Sequence, residues 1–440
     1  MSWGDFSIFF FRNIGIYIFP CLVLSIFIYY ILFKKHIVSI LDPFSLAVIG
    51  SMFGFSIVVF LRVTNTISER YFFQFIFSQS AFFIGFFILN KIAKKEMKKY
   101  HMVPCSSRAT IDNTFFYIFV VISLLYISSN IAIYTISGIP LFSDESRLEF
   151  MAVGGGTGIF GRIVAVFLPV TLYMTLHCML TIRKNIVRKI YCRFVIIIII
   201  IIAVFTGARA AILSIASIVF IFFYLNRYDY GTIYSKFQKN QIKIFMLVLV
   251  SVTILFFFQY GSNLEQAFIS LLFRLISFGD VFFMAYPYDN IESLTGTNIL
   301  IIFFGDLLRT IRVLPQELIP LGMGFELFSV VTGVSDELVG PNPRHNVFGY
   351  VQFGFFGSIL FSLFCGMVLS IVRTKFLFSD VTATHDRKIL IMLIYRAFIP
   401  IEADPPAVTV FITNIILFFP VILIMLFFMR NINCRKMTMG

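Results

Sequence analysis

Apolar runs of 15 to 27 residues recur along almost the whole chain and limit its possible folds more than any other feature. About 20 apolar residues are enough for a helix to cross a membrane. Runs such as VIIIIIIIA at 195–203 lack the alternation of barrel strands. The sequence therefore predicts an all-α, polytopic integral membrane protein, a single membrane domain over residues 1–440. We place its eleven or so transmembrane helices at 13–33, 44–61, 72–90, 114–135, 163–182, 194–208, 210–226, 244–260, 346–372, 389–403 and 407–429.

The composition agrees with a lipid surrounding. Only 13% of the 440 residues are charged, about half of what the surface of a soluble protein of this size needs. Basic loops mark the cytoplasmic side of a membrane protein. They lie at 34–35, 91–99, 183–193, 227–243, 373–388 and 430–436. The N-terminus is then expected outside and the C-terminus inside.

The net charge of +13 divides unevenly between the two sides of this topology. The cytoplasmic side holds 24 Lys and Arg against six acids, which gives +18. The outer side holds eleven cations against sixteen acids, which gives −5. All 15 Lys lie inside, so every outer cation is an Arg. The basic excess orients the protein in its membrane, and no nucleic-acid partner is expected.

Two predicted outer loops are longer than ordinary connections. The first, at 137–161, combines acids with Arg147 and the glycines 154–156; such a loop can approach a ligand closely or serve as a flexible lid. The second, at 261–345, contains the amphipathic stretch 301–314, in which Asp306, Arg309 and Arg312 share one helix face. That pattern favours a helix in the outer interface, with or without a grip on lipid head groups. A rival topology makes 266–284 and 298–314 two further spans.

Two Arg residues lie at or below the outer ends of spans, where charge is costly and usually functional. Arg209 stands between two very apolar runs, and snorkelling to head groups is the alternative to a functional role. Arg396 is expected about 12 Å below the outer end of a short span, at eight residues of 1.5 Å rise. Its alternative is a structural pair with Glu402 or Asp404.

Arg344 and His345 stand where the long loop re-enters the membrane, before Asn346 as a candidate helix cap. His345 is the only one of five His placed outside, and a neutral His can accept a proton from an attacking hydroxyl. A structural His is the alternative, and Asp336 or Glu337 could also serve as the acid or base. The outer Arg residues, which also include Arg274, suit a diphosphate. A guanidinium stays charged and binds phosphate oxygens bidentately.

Other kinds of site have no support in the sequence. There is no Walker-type phosphate loop, no Cys/His metal spacing and no Asp-x-Asp pair. The expected site is therefore independent of metals and cofactors. Stabilising negative charge on a departing diphosphate needs only convergent Arg side chains.

The chain resembles the O-antigen (oligosaccharide repeat-unit) polymerases, the Wzy family. The resemblance covers the span pattern and the two outer loops, and locally it rests on SGIPLFSDESR, TGARAAILSIASIVF and NPRHNVFGYVQFGFFGSIL. It implies a C-type glycosyltransferase-like fold in the bacterial inner membrane. Arg147, Arg209 and Arg344 match positions of functional Arg in the family, and His345 matches a loop His. An outside N-terminus departs from the usual family topology.

The resemblance also implies an activity on the periplasmic face: transfer of a growing glycan from one undecaprenyl diphosphate to another lipid-linked repeat unit. Donor and acceptor are then lipid-linked oligosaccharides, and a chain-length regulator is a candidate protein partner. Three alternatives remain open. They are a flippase for the same lipid-linked oligosaccharide, an O-antigen ligase, and a structural membrane subunit.

Overall fold

The computed structural model describes residues 1–97, 113–142, 158–182, 185–207, 209–260, 273–320, 322–334, 339–379 and 383–438. The structure is 84% helix, and no strand occurs in those ranges, so the all-α prediction is confirmed. In chain order the helices are α1 (Trp3–Arg12), α2 (Ile14–Phe33), α3 (Pro43–Val63), α4 (Glu69–Met97), α5 (Asn113–Ser137), α6 (Gly158–Thr181), α7 (Ile186–Phe205), α8 (Arg209–Leu225), α9 (Gly231–Tyr260), α10 (Asp280–Ala285), α11 (Ile299–Thr310), α12 (Met323–Thr332), α13 (His345–Leu377), α14 (His385–Phe398) and α15 (Pro405–Thr438).

Each of the eleven predicted apolar runs falls on one of these helices. Seven helices in the described ranges are long and apolar enough to cross a membrane, namely α2, α3, α4, α5, α6, α13 and α15. The chain is therefore a multi-pass membrane protein. The runs on α7, α8, α9 and α14 are not among the seven, so a total of eleven spans stays a prediction.

The chain forms two compact units. The first contains residues 1–100, 263–374 and 397–410, and the second contains 101–262, 375–396 and 411–440. The first unit is built on α3, α4 and α13. Local sequence sets the start of α3: the Asp42 carboxylate accepts from the backbone N–H of Phe44 at 3.1 Å, and Pro43 opens the first turn.

Helices α4 and α13 cross with their backbones in contact. A Cβ added at Gly85 of α4 would collide with the carbonyl of Leu363, and one added at Gly366 of α13 would collide with the carbonyl of Phe82. Small residues at a crossing allow this close packing, which replaces the hydrophobic driving force that lipid removes. The two glycines therefore set the distance between the helices that frame the first unit.

Helix α13 is interrupted at Gly354, although the sequence predicts one span at 346–372. Gly354 has φ +70° and ψ −168°, a conformation that is essentially confined to glycine. Residues 345–353, which we call the half-helix, fold back along 355–377. The His345 Nδ1 and Ser362 Oγ atoms lie 2.8 Å apart, and the rings of Phe348 and Phe361 lie 5.4 Å apart. In a straight helix, 17 residues would separate His345 and Ser362 by about 25 Å.

A second piece of the long predicted loop is also buried in the first unit. Residues 276–286, which we call the buried segment, pack between α3 and α4. Side chains of Val281 to Tyr286 are at most 1% exposed, and the rings of Phe75 and Phe282 lie 4.9 Å apart. Gly50, where a Cβ would meet the Phe278 ring at 2.9 Å, lies 13 residues from the end of α3, about 20 Å along the helix. The segment therefore reaches deep along α3.

The second unit contains α5 to α9 and α14. Its buried Lys388 is neutralised: the Nζ atom donates to Asp229 at 2.7 Å and to Asn226 at 3.0 Å. The Tyr173 hydroxyl lies 3.2 Å from His385 Nδ1 and 3.3 Å from the Asn226 side-chain oxygen. Removing one partner of this pair would leave the buried Lys388 charge uncompensated, so the pair is a structural feature of the second unit.

Candidate functional site

Arg344 occupies the most unusual position in the first unit. Its backbone is left-handed, with φ +38°, and its N–H donates to the carbonyl of Ala403 at 2.9 Å. The residue is only 5% exposed. The guanidinium carbon lies 5.8 Å from the centre of the Phe282 ring, and a Cβ on Gly54 would collide with Nη1. A glycine in α3 and an aromatic ring in the buried segment therefore form a cradle for this side chain.

The Arg344 guanidinium has no ionic partner within 4 Å and no side-chain hydrogen bond among the residues that the structure describes. Burial of a charge without a close ionic partner is costly, and buried charged groups in membrane proteins usually face a cavity or a ligand. The half-helix begins at the next residue, and its N-terminal end carries partial positive charge from unpaired N–H groups. The guanidinium and the helix end together favour an anion. We call Arg344, Gly54, Phe282 and the first turn of the half-helix the anion cradle.

Two carboxyl groups lie near the cradle. Burial raises the pKa of Asp280 to about 7, although its bond from the Val281 N–H and the charges of Arg344 and Arg274 act in the opposite direction. Burial likewise raises the pKa of Glu402, while Arg344 lowers it. A carboxyl that titrates near neutral pH can take up or release a proton during a reaction. The cradle thus combines a fixed cation with Asp280, a carboxyl that can carry a proton near neutral pH, and with Glu402, whose pKa burial raises.

A buried polar network extends from Glu402 along α4. The Gln79 amide nitrogen donates to the Glu402 carboxylate at 3.4 Å and to the hydroxyl of Ser51 at 3.3 Å. The Asn346 side chain donates to Ser78 at 2.8 Å, and Gln74 donates to the backbone carbonyl of Asn346 at 3.0 Å. Buried polar networks are retained where they define one geometry. This one fixes the first turn of the half-helix, and with it the backbone of Arg344.

His345, the predicted general base, lies in the same turn but is fully buried. Its ring stacks on Phe82 with centroids 4.7 Å apart. Ser362 donates to the carbonyl of Ser358, so its oxygen accepts from His345 Nδ1–H. The Nε2 atom has no partner in the described part of the chain. A hydroxyl could reach Nε2 only after the site opens, and the predicted role of His345 stays a prediction.

The other predicted Arg residues do not meet in the cradle. Arg274 is exposed, close enough to Asp280 to lower its pKa. Arg309 lies in α11, which ends at Thr310, so Arg312 falls beyond the helix with φ +59°. The helix is therefore shorter than the predicted 301–314. Arg312, the third charged residue, does not share a helix face with Asp306 and Arg309. Arg396 of the second unit donates to Ser214 at 2.8 Å and forms no ion pair in the described ranges.

Four further candidates cannot be placed in the same way. Arg147, Asp336 and Glu337 lie outside the described residues, and Arg209 is described only as the first residue of α8. In the residues that the structure describes, no group of three or more His, Cys, Asp and Glu side chains is arranged to hold a metal ion.

Sequence reasoning missed Asp280 and Gly54. Gly50 and Gly54 form a small-xxx-small pattern, GSMFG, which marks a helix face that accepts close contacts. That signal was present in the sequence. Nothing local distinguishes Asp280 from other acids of the loop, because its burial depends on the packing of the buried segment against α3.

Comparisons with known proteins add no relative to this description. No protein-family model, curated protein or solved structure matches the chain.

Proposed function

We propose that the chain is a metal-independent glycosyltransferase of the bacterial inner membrane, which polymerises undecaprenyl-diphosphate-linked oligosaccharide units on the periplasmic face. The observation that carries the proposal is the buried guanidinium of Arg344 at the N-terminal end of the half-helix, for which the described residues supply no ionic partner within 4 Å. A membrane enzyme whose substrate is a lipid diphosphate needs such an anion site. The motif around 342–360 is also one of the three on which the resemblance to the polymerases rests.

In the proposed reaction, a hydroxyl oxygen of the acceptor sugar attacks the anomeric carbon of the donor. The bond from that carbon to the diphosphate oxygen breaks, and the diphosphate leaves with the electron pair. Arg344 and the N–H groups of the half-helix stabilise the negative charge that develops on it. Gly54 and Phe282 enclose the guanidinium and so limit its reorganisation during the reaction.

The hydroxyl proton must pass to a base. Asp280 suits this step because it is only partly buried and titrates near neutral pH. His345 Nε2 is the alternative, at the cost of opening the site around a fully buried ring. Replacing Asp280 by Asn would abolish the first route and leave the second.

A flippase is the second candidate, and one observation favours it. The half-helix and α10 are short helices that end inside the first unit, and broken helices of this kind form substrate sites in many transporters. The same anion cradle would then hold the lipid diphosphate during transport, without any bond being broken.

A lipopolysaccharide gel from cells that lack the chain separates the candidates. Loss of a polymerase leaves the core with a single repeat unit, whereas loss of a flippase removes that band too. Loss of a ligase leaves polymer on undecaprenyl diphosphate. Only the first pattern supports the proposal.

The site is tested by complementing those cells with Arg344→Ala. Loss of one preorganised donor to a developing anion lowers a rate by about 10²- to 10³-fold, so the long ladder should disappear at unchanged protein level. Arg344→Lys should recover only part of it, because an ammonium cannot bind two oxygens in parallel. Arg12→Ala, at an exposed Arg, is the control and should restore the full ladder. A normal ladder from Arg344→Ala would refute the assignment.

A further inference from the structure

Three side chains of the first unit converge on one carboxylate oxygen of Glu292. Tyr350 and Tyr71 donate to Glu292 Oε1 at 2.6 and 3.2 Å, and Arg70 lies 3.3 Å from the same atom. Arg70 also donates to the Tyr350 hydroxyl at 2.5 Å. We call these residues the Glu292 cluster. The second oxygen of Glu292 accepts no hydrogen bond within the described ranges, and the side chains of Glu292 and Arg70 are 46% and 61% exposed.

The cluster contains more groups than an ion pair requires. An exposed Arg–Glu pair contributes little to stability, and two tyrosines are not needed to make one. Here both tyrosine rings are almost fully buried, while the charged groups face outward. The tyrosines thus hold the carboxylate in a single orientation, with one oxygen left for a ligand. Preorganised polar groups of this kind are typical of binding sites.

An exposed aromatic ring on a strained backbone lies four residues before Glu292 in the same short helical stretch. Tyr288 and Asp289 are consecutive left-handed residues, with φ +59° and +57°, and the Tyr288 side chain is 81% exposed. Asp289 lies between Tyr288 and Glu292 in the same short helical stretch, Pro287–Ser293, so it belongs to the same surface. Non-glycine residues in this conformation are uncommon and cluster at functional sites. This strained backbone holds the Tyr288 ring at the surface, where little of it packs on the protein itself.

We propose that the Glu292 cluster, together with Tyr288 and Asp289, is a subsite for an uncharged sugar of the lipid-linked glycan. Carboxylate oxygens accept from sugar hydroxyls, the remaining Arg70 N–H groups donate to sugar oxygens, and the Tyr288 ring offers a flat apolar face for stacking. Arg70, Glu292 and Asp289 sum to a charge of −1. A uronic acid is therefore disfavoured, and a hexose or N-acetylhexosamine is favoured.

The half-helix sets the distance between this subsite and the anion cradle. Tyr350 lies six residues after Arg344, about 9 Å along the axis. A glycan whose diphosphate is held at Arg344 would place its first one or two sugars beside the Glu292 cluster. This geometry rests on the proposed function, because it takes the anion at Arg344 to be the diphosphate of the same lipid-linked glycan.

Saturation-transfer difference NMR on the full chain in nanodiscs tests the subsite directly. The probes are methyl glycosides of a hexose, an N-acetylhexosamine and a hexuronic acid. The first two should receive saturation and the third much less. Tyr288→Ala should weaken binding by about tenfold through loss of the stacking face, while Tyr288→Phe, which keeps the ring, should bind like the natural chain.

The charge of Glu292 allows a second test, which would give no change if the Glu292 cluster were only structural. Glu292→Gln keeps the shape of the side chain but removes the negative charge, so binding of the hexuronic acid should rise relative to that of the hexose. An unchanged preference, equal binding by the Ala and Phe variants at position 288, or no saturation of any glycoside would overturn the proposal. Failure of the proposed function would differ: glycosides would still bind, also to Arg344→Ala, but loss of the chain would not give the single-repeat pattern.

Discussion

Gly54 is the position where the smallest change should separate stability from activity. A Cβ added there would collide with the Arg344 Nη1 atom and lie 3.1 Å from the carbonyl of Phe278. The carbonyl belongs to the backbone of the buried segment and cannot turn aside. The guanidinium is the movable neighbour, so Gly54→Ala should displace it within the cradle.

The two effects on stability partly cancel, which leaves a net cost of at most about 2 kcal/mol. Replacing Gly by Ala inside a helix stabilises it by about 1 kcal/mol, whereas overpacking a filled site costs about 1–3 kcal/mol. The displacement of the Arg344 guanidinium in the anion cradle has no such compensation. Ordinary contact at about 3.5–4.0 Å requires the guanidinium to retreat by roughly 1 Å. A misplacement of about that size costs about 10²-fold in rate, or about 2.7 kcal/mol of the barrier.

Two measurements on the same variant test this reasoning. Thermal unfolding of the purified chain should change by only a few degrees, while the lipopolysaccharide ladder in complemented cells should shorten strongly. Gly50→Ala is the matched control in the same helix. Its Cβ would meet the edge of the Phe278 ring, a 44% exposed side chain that can rotate away. Gly50→Ala should therefore keep both the stability and the ladder.

The reasoning would be refuted if Gly54→Ala supported a normal ladder, since the guanidinium would then have no role that depends on its position. Equal shortening by both glycine variants would also contradict it. That result would point to general damage to α3 rather than to the cradle.

Two further predictions follow from the first unit. The pKa of Asp280 rises from 3.8 to about 7 on folding, so the folded state binds more protons between these values and stability falls as the pH rises through that window. Asp280→Asn should flatten this dependence and stabilise the chain relative to the natural one at pH 8, as measured by melting curves from pH 4.5 to 8; parallel curves would contradict the assignment. At Gly354 the space is open but the backbone is left-handed, so Gly354→Ala should cost about 1–3 kcal/mol through strain alone and loosen the half-helix. Gly15→Ala, which has open space and no positive φ, is the control, and equal melting temperatures for the two variants would refute the fold-back at Gly354.

The helices were accessible from the sequence because their signal is local. An apolar run in lipid must make all its backbone hydrogen bonds within itself. It must therefore be helical, whatever it packs against. All eleven predicted runs accordingly coincide with helices. The interruption at Gly354 was not accessible in this way, since hydropathy continues unbroken from 346 to 372 and a single glycine is compatible with a helix.

The candidate site was only partly predictable. Arg344 and His345 stood out because they lie where the long loop re-enters the membrane, and because His345 is the only His placed outside. The different environments of the two residues depend on contacts with α3, α4 and the buried segment. Local pattern also treated the loop at 261–345 as uniformly outer, although Phe282 and Tyr286 are buried against α4.

Read alone, the sequence determined the class of protein: an all-helical, multi-pass membrane chain, with its helices placed by hydropathy and its sides predicted from its Lys. It also singled out Arg344, at the point where the long loop re-enters the membrane. Only the tertiary structure decided which groups surround that charge. Gly54, Asp280, Arg344 and Glu402 are scattered over 349 positions of the chain, and their proximity arises from glycine-mediated contacts and from two segments that fold back among the helices. Such packing is non-local, and no window of sequence contains it.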